Sequence, residues 1–310
     1  MKYIIVLMCL VSSYTALLAH HGMEGSVGLN SSSNAGFTTL KKGEFYFETS
    51  HFNWRYQLMP MTSYAITNVL NIKYAQAVNM QGMYGITDRL TVGIQSSWNQ
   101  VSYTPLFGYD DTFEYSTFNG IGDLSTFLCF RIWKKKKSEI AVLAGSEIPL
   151  GKAGEESGLV FTSVGSRSFD PFVGLVVNQQ FKQLRIRNQF IYKKTTENQE
   201  GYYFGDVIAN EFWLDYSFDK VCCSDSSTTK NVAINALVGL KYENLDQNRK
   251  NGYAILNTGY TRSFLSAGMR LGIKKKLFIP LLVDLPISEN TTGIQNETSI
   301  RFQTGISLLF

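Results

Sequence analysis

Apolar and polar residues alternate with a period of two along much of this chain, most regularly at its end. From Thr298 to Phe310, Ile300, Phe302, Thr304, Ile306, Leu308 and Phe310 share one parity; Ser299, Arg301, Gln303, Gly305, Ser307 and Leu309 share the other. Successive side chains of a β-strand point to opposite faces, so the pattern predicts a strand with one face in apolar surroundings and the other against something polar.

The same reading gives about twelve strands, over residues 43–54, 69–84, 88–103, 120–133, 138–149, 169–181, 184–196, 205–218, 231–243, 260–273, 277–287 and 298–310. Their connections alternate in length. Gly85-Ile86-Thr87, Lys134 to Lys137, Lys182-Gln183 and Lys274 to Lys276 are very short, with Asp219 to Lys230 a longer member of the same set. The connections between them are all longer. Short periplasmic turns alternating with long external loops are the organisation of bacterial outer-membrane barrels, and a soluble sandwich has no reason to adopt it. The expected fold is therefore all-β: a transmembrane antiparallel up-and-down β-barrel over residues 43–310, with both ends on the periplasmic side. Outer-membrane lipid is its expected environment. An alternating strand ending on Phe310 resembles the signal read by the barrel-assembly machinery.

The two faces agree with this. One parity carries Leu124, Thr126, Leu128, Phe130 and Ile132, and likewise Val232, Ile234, Ala236, Val238, Leu240 and Tyr242. The other carries most of the strand charges, Lys73, Asp123, Arg131, Glu147, Arg185, Arg187, Glu211, Asp215, Lys241, Arg262, Arg270, Asp284 and Arg301, together with the rings of Phe127, Trp133, Phe172 and Trp213. A charge facing lipid near the midplane costs about 2–4 kcal/mol, so the charged parity is the expected lumen lining. Its mixed signs leave two readings: an ion-pair network that stiffens the wall, or a constriction that selects solutes. Barrels of about twelve strands lie between those filled by side chains and those with open aqueous channels, so any pore is narrow. Pro280 and Pro286 share the inward parity of the eleventh strand, which is expected to bulge or bend there.

Composition narrows the field further. Aromatics make up 14% of the chain and prolines number only 6, which suits strands with interfacial girdles. The net charge of +4 is small and the lysines cluster in turns, so no nucleic-acid footprint is expected. Met1-Lys2, the apolar run Tyr3 to Leu10 and Leu17-Leu18-Ala19 read as a signal peptide over residues 1–19. Residues 20–42 follow as a flexible periplasmic lead-in or a short plug. Cleavage after Ala19 would expose His20, whose amine and imidazole, with His21, form a candidate site for Cu²⁺ or Ni²⁺; the bland alternative is a solvated start of the mature chain. Cys222-Cys223 are adjacent and Cys129 sits in a strand, so no disulfide framework is expected, and no cofactor. Catalysis is not expected either. His51 lies on the outward parity, and its neighbour Ser50 points to the opposite face, where the two cannot form a nucleophile–base pair.

Several pieces in the middle of the chain occur in a telling order: Gly120-Ile121-Gly122-Asp123-Leu124, Ile148-Pro149-Leu150-Gly151-Lys152, Gly165-Ser166, Phe169-Asp170-Pro171-Phe172-Val173-Gly174 and Phe204-Gly205-Asp206. With Tyr84-Gly85-Ile86-Thr87-Asp88-Arg89-Leu90 upstream, the order resembles the outer-membrane proteins grouped as the MetA-pathway phenol-degradation family, over roughly residues 43–310. The resemblance implies a barrel that admits aromatic or other hydrophobic compounds as small-molecule solutes. The expected function is passage of such solutes. The alternative is a non-transporting barrel that stabilises the envelope or binds a partner through residues 104–119 and 150–168.

Overall fold

The computed structural model describes residues 39–57, 70–105, 116–151, 156–157, 160–161, 164–218, 232–274, 276–293 and 295–310. The signal peptide, His20 and His21, and Cys222 and Cys223 lie outside the described residues.

The wall is one antiparallel sheet whose neighbours in space are neighbours in sequence. Its strands are β1 (Phe45–Tyr56), β2 (Leu70–Gly85) and β3 (Leu90–Pro105). Next come β4, in two pieces (Ser116–Ile121 and Leu124–Lys135), β5 (Ser138–Ile148), β6 (Asp170–Phe181) and β7 (Leu184–Lys193). The ring continues through β8 (Val207–Ser217), β9 (Val232–Leu245), β10 (Tyr260–Ile273), β11 (Leu277–Thr291) and β12 (Thr298–Leu309). Both pieces of β4 pair with β3, so they act as one wall strand broken at Gly122-Asp123. Strand β1 pairs with β2 on one side and β12 on the other, and the ring closes from Tyr46 opposite Leu309 to Trp54 opposite Arg301. A closed barrel leaves no unpaired edge, which is what lets strands cross lipid.

Strand β4 begins at Ser116 rather than 120, and β11 runs on to Thr291 rather than 287. Both extensions are polar and lack the alternation by which strands are recognised. Strand β7 stops at Lys193 rather than 196. The prolines of β11 act as expected. The β10 register shifts at Ser263/Phe264, opposite Pro286, and the β11–β12 ladder lapses between Phe278 and Leu281, around Pro280.

Burial alternates along the wall. On β1, Tyr46, Glu48, Ser50, Phe52 and Trp54 are buried inside while Phe45, Phe47, Thr49 and His51 face out. Outside, Leu128, Val142, Val173, Val238, Leu281 and Phe302 stand exposed in an apolar belt. Thr39 and Leu40, at the end of the lead-in, are buried within the ring. The Leu40 amide donates to Thr91 Oγ1 (2.9 Å), Arg131 Nη1 donates to Thr39 Oγ1 (3.3 Å), and Leu40 packs with Met83, Phe127 and Cys129.

This face assignment has a direct test. Replacing Leu128, Val238 or Leu281 by Arg is expected to destabilise the barrel by about 2–4 kcal/mol near the midplane. Arg185→Gln, whose inward side chain is 28% exposed, is expected to cost much less. Urea unfolding in lipid vesicles measures both, and equal sensitivity would mean that the faces are reversed.

Candidate functional site: the barrel lumen

The lumen has two unlike halves. On β4 to β6 the inward residues at mid-height are mostly apolar, Phe127, Cys129, Ala141, Leu143, Phe172 and Val176, and Ile191 joins them from β7, whose other inward residues include buried Gln189 and Arg187. Glycines flatten this half. A Cβ on Gly93 would lie 2.1 Å from Cζ of Phe127, and one on Gly145 would lie 2.5 Å from Cζ of Phe172. Gly93 is the cross-strand partner of Phe127, and Gly145 of Phe172. Each ring therefore lies flat on the wall over a missing side chain. Trp213 does the same on β8, where a Cβ on its partner Gly239 would approach the indole to 2.6 Å.

On β9 to β12 the inward face carries most of the charges, set among Leu237, Phe264 and Leu282. Asp284 Oδ2 accepts from Lys241 Nζ (3.0 Å) and from Arg301 Nε (3.0 Å), while Oδ1 accepts from Ser266 Oγ (2.6 Å). Arg301 Nη1 reaches Glu243 Oε1 at 2.7 Å, and its guanidinium carbon sits 3.7 Å from the centre of the Phe264 ring. Nearer the loops, Arg262 pairs with Glu289 (2.5 Å) and stacks on Tyr260 (3.8 Å). A second group joins Arg270 to Asp215, which also accepts from Asn235 Nδ2 (2.5 Å) and has Arg185 at 3.8 Å. Glu211 accepts from the Trp213 indole N–H (2.9 Å). Arg187 is buried beside this group. Ion pairs removed from water offset their desolvation only when each charge is matched and its remaining valences are filled, and Asp284 meets that condition by accepting from Lys241, Arg301 and Ser266 together.

The predicted site residues thus fall into separate places. Arg185, Arg187, Glu211, Asp215, Arg262, Arg270, Asp284, Arg301 and Trp213 face the interior on β7 to β12, and Phe127 and Phe172 form the apolar half. Arg131 and Glu147 lie at opposite ends of that half, paired with Glu139 (3.6 Å) and Lys193 (2.9 Å). Trp133 was expected inside and is not. A bulge between Arg131 and Trp133 puts Trp133 opposite Ile140, on the outer face, and the ring is 43% exposed. One extra residue reverses parity beyond it, and alternation alone does not reveal the insertion.

Residues absent from the candidate set also matter. Glu48, fully buried, accepts from Tyr46 Oη (2.5 Å), and Lys193 and Glu243 complete pairs. So does Lys241, which alternation places on the inward face, whereas Lys73 falls at the Ile72/Tyr74 irregularity of β2 and is exposed. Glu48, Lys193 and Glu243 also lie at the inward parity of predicted strands. Glu289 was missed because β11 was ended too soon. His51 faces outward, 3.4 Å from Gln76 Oε1, with Ser50 buried on the opposite face.

The ordered motif pieces meet at the external rim. Asp123, at the break in β4, accepts from the Gly151 amide (2.9 Å) and from the amide and hydroxyl of Ser166 (2.6 and 2.9 Å). A Cβ on Gly165 would stand 2.3 Å from Asp123 Oδ1, so only glycine fits there. Asp170 accepts from the Thr196 amide (2.8 Å). Asp206 is a hub for Tyr192 Oη (2.7 Å), Lys194 Nζ (2.8 Å), Tyr203 Oη (2.6 Å) and the Thr195 amide (3.0 Å). Partial burial pushes the Asp206 carboxyl up, but the hydrogen bonds from Lys194, Tyr203, Tyr192 and Thr195 outweigh it and hold it below its ordinary range. These aspartates tie down the loops.

A closed antiparallel ring of twelve wall strands, apolar outside and charged inside, defines a Gram-negative outer-membrane β-barrel. Its sequence matches no known family model and no curated protein. Its fold is similar to that of the COG4313 outer membrane channel from Pseudomonas putida F1, with a TM-score of 0.63 at 10% identity, covering 92% of this chain and all (100%) of that one. Likeness to the CymD monoaromatic hydrocarbon channel is weaker, at a TM-score of 0.42 and 10% identity over 95% of this chain and 98% of that one. The β-domain of the Bordetella autotransporter BrkA gives 0.45 at 12% identity, over 87% of this chain and 100% of that one.

Two outcomes are expected. Asp284→Ala strands Lys241 and Arg301 without their shared acceptor, and loss of about 3–5 kcal/mol is expected in urea unfolding; a loss under about 1 kcal/mol would mean the network is bridged by water. For Asp206, whose folded pKa is depressed, the stabilisation is complete above the ordinary carboxylate range and is lost as pH falls through the lower folded value. Hydrogen exchange of the Thr195 amide should therefore quicken, relative to neighbouring amides, only at acid pH, and Asp206→Asn should quicken it at neutral pH too.

Proposed function

We propose that the protein is an outer-membrane channel for small solutes with a hydrophobic, often aromatic, part. The observation that carries this reading is the apolar half of the lumen. Phe127 and Phe172 lie flat over Gly93 and Gly145, and Leu143, Val176 and Ile191 surround them, facing a charged half. A lumen needed only for rigidity gains nothing from rings laid tangentially. A passage gains width and a smooth apolar lane, along which a ring can slide without strong binding. The overall likeness in fold to an outer-membrane channel supports the same reading. So does the motif order resembling the MetA-pathway phenol-degradation family, whose pieces here brace the external rim and leave the lumen to set selectivity.

Entry of a phenol or similar solute would bring its ring to the Phe127–Phe172 side. Its polar group would turn toward Arg187, Glu211 and the β9–β12 charges. The ion pairs make the charged half costly to rearrange, so large hydrophilic solutes are disfavoured. Liposome swelling with phenols, sugars and amino acids tests this, alongside single-channel recording. Phenols should pass several-fold faster than sugars of similar size. Gly93→Ala, which must drive the Phe127 ring off the wall, should slow the phenols while the protein still runs heat-modifiably on gels. Equal, negligible swelling with every solute would favour a non-transporting barrel instead.

A further inference from the structure

The bulge that turns Trp133 outward sets it above the most cationic turn of the molecule. Ile132 (56% exposed) and Trp133 (43%) stand side by side at the short-turn end of the wall, and Phe181 (52%) is exposed on β6. Below them run Lys134, Lys135, Lys136 and Lys137, all exposed. The Gln180 amide donates to the Lys137 carbonyl (2.9 Å), which brings the neighbouring turn and its exposed Lys182 alongside. Lys134 pairs with Glu139 at 2.5 Å. Lys135, Lys136, Lys137 and Lys182 have no carboxylate partner among the described residues.

Lys136 (φ 50°) and Lys182 (φ 48°), like Lys274 (φ 51°) in another turn, occupy left-handed positions, where asparagine is tolerated. Interfacial tryptophan sits at head-group level in a bilayer, and clustered lysines beside such a girdle attract acidic lipid.

We infer that Trp133, Phe181 and the lysines at 135–137 and 182 form a binding site for an anionic phospholipid of the inner leaflet. The lipid phosphate lies among the ammonium groups, and its acyl chains run up the wall over Ile132 and Phe130. This rests on the membrane-barrel assignment and is independent of what passes through the lumen.

The full-length protein, refolded in phosphatidylcholine vesicles, would be titrated with phosphatidylglycerol brominated near the head-group end of its chains, or with equally brominated phosphatidylcholine. Quenching of tryptophan fluorescence reports contact, and subtracting the Trp133→Phe variant isolates Trp133. Phosphatidylglycerol is expected to be favoured at Trp133 by roughly five-fold or more. Combined Lys135→Gln, Lys136→Asn, Lys137→Gln and Lys182→Asn should remove the preference; asparagine at the left-handed positions keeps the turns intact. Lys274→Asn with Lys276→Gln, in another turn, should leave it unchanged. Equal quenching by the two lipids in the unsubstituted protein would overturn the site, as would a preference that survives the four lysine replacements. Quenching by neither lipid would overturn the membrane assignment itself, and a preference abolished equally by the Lys274/Lys276 pair would reduce the site to general surface charge.

Discussion

Hydrocarbon offers a peptide group no hydrogen bond, and the rest of this structure depends on that fact. An unpaired backbone donor or acceptor in the bilayer costs several kcal/mol, so strands can cross only if the first meets the last. Here β1 and β12 meet along an almost complete ladder, from Tyr46 opposite Leu309 to Trp54 opposite Arg301. Closure divides every strand into a lipid-facing parity and an enclosed one. The enclosed parity must then solve a second problem, because it holds charges with little water around them.

The solution differs around the ring. On β9 to β12 the charges satisfy one another: Asp284 serves Lys241, Arg301 and Ser266, and Arg301 also holds Glu243 and lies on Phe264. On β4 to β6 there is little to satisfy at mid-height, because most inward positions are apolar or glycine. Rings spread over those glycines and the half becomes smooth. The lumen is therefore amphipathic across its width, and this division, more than any one residue, gives the proposed selectivity for solutes with a hydrophobic part.

The external rim shows how a barrel with long loops keeps its mouth defined. Asp123, Asp170 and Asp206 each collect amide and side-chain donors from the loops. Gly151 and Gly165 leave room for the close approach of Asp123. Most of the pieces whose order resembles a transporter family are spent here, on architecture.

Much of this was legible in the sequence. Period-two alternation, paired with alternating connection lengths, determined the barrel and which parity faces lipid, because closure and the cost of charge in hydrocarbon leave no other arrangement. Many of the inward charges could be named, from Arg131 to Arg301, though Glu48, Lys193 and Glu243 were not among them. Their partners could not be named, since a pair such as Arg301–Glu243 joins residues far apart in the chain through register and barrel curvature. Glu289 was hidden because β11 continues past its apolar belt, where polar residues no longer alternate. Trp133 was misplaced because a bulge adds one residue without leaving a mark on local composition. Gly93, Gly145 and Gly239 look like weak points in strands until their cross-strand partners prove to be Phe127, Phe172 and Trp213. A strand's own residues determine that it forms and which face it turns to water or lipid; only its neighbours' register decides which side chains touch, and therefore what the lumen can hold.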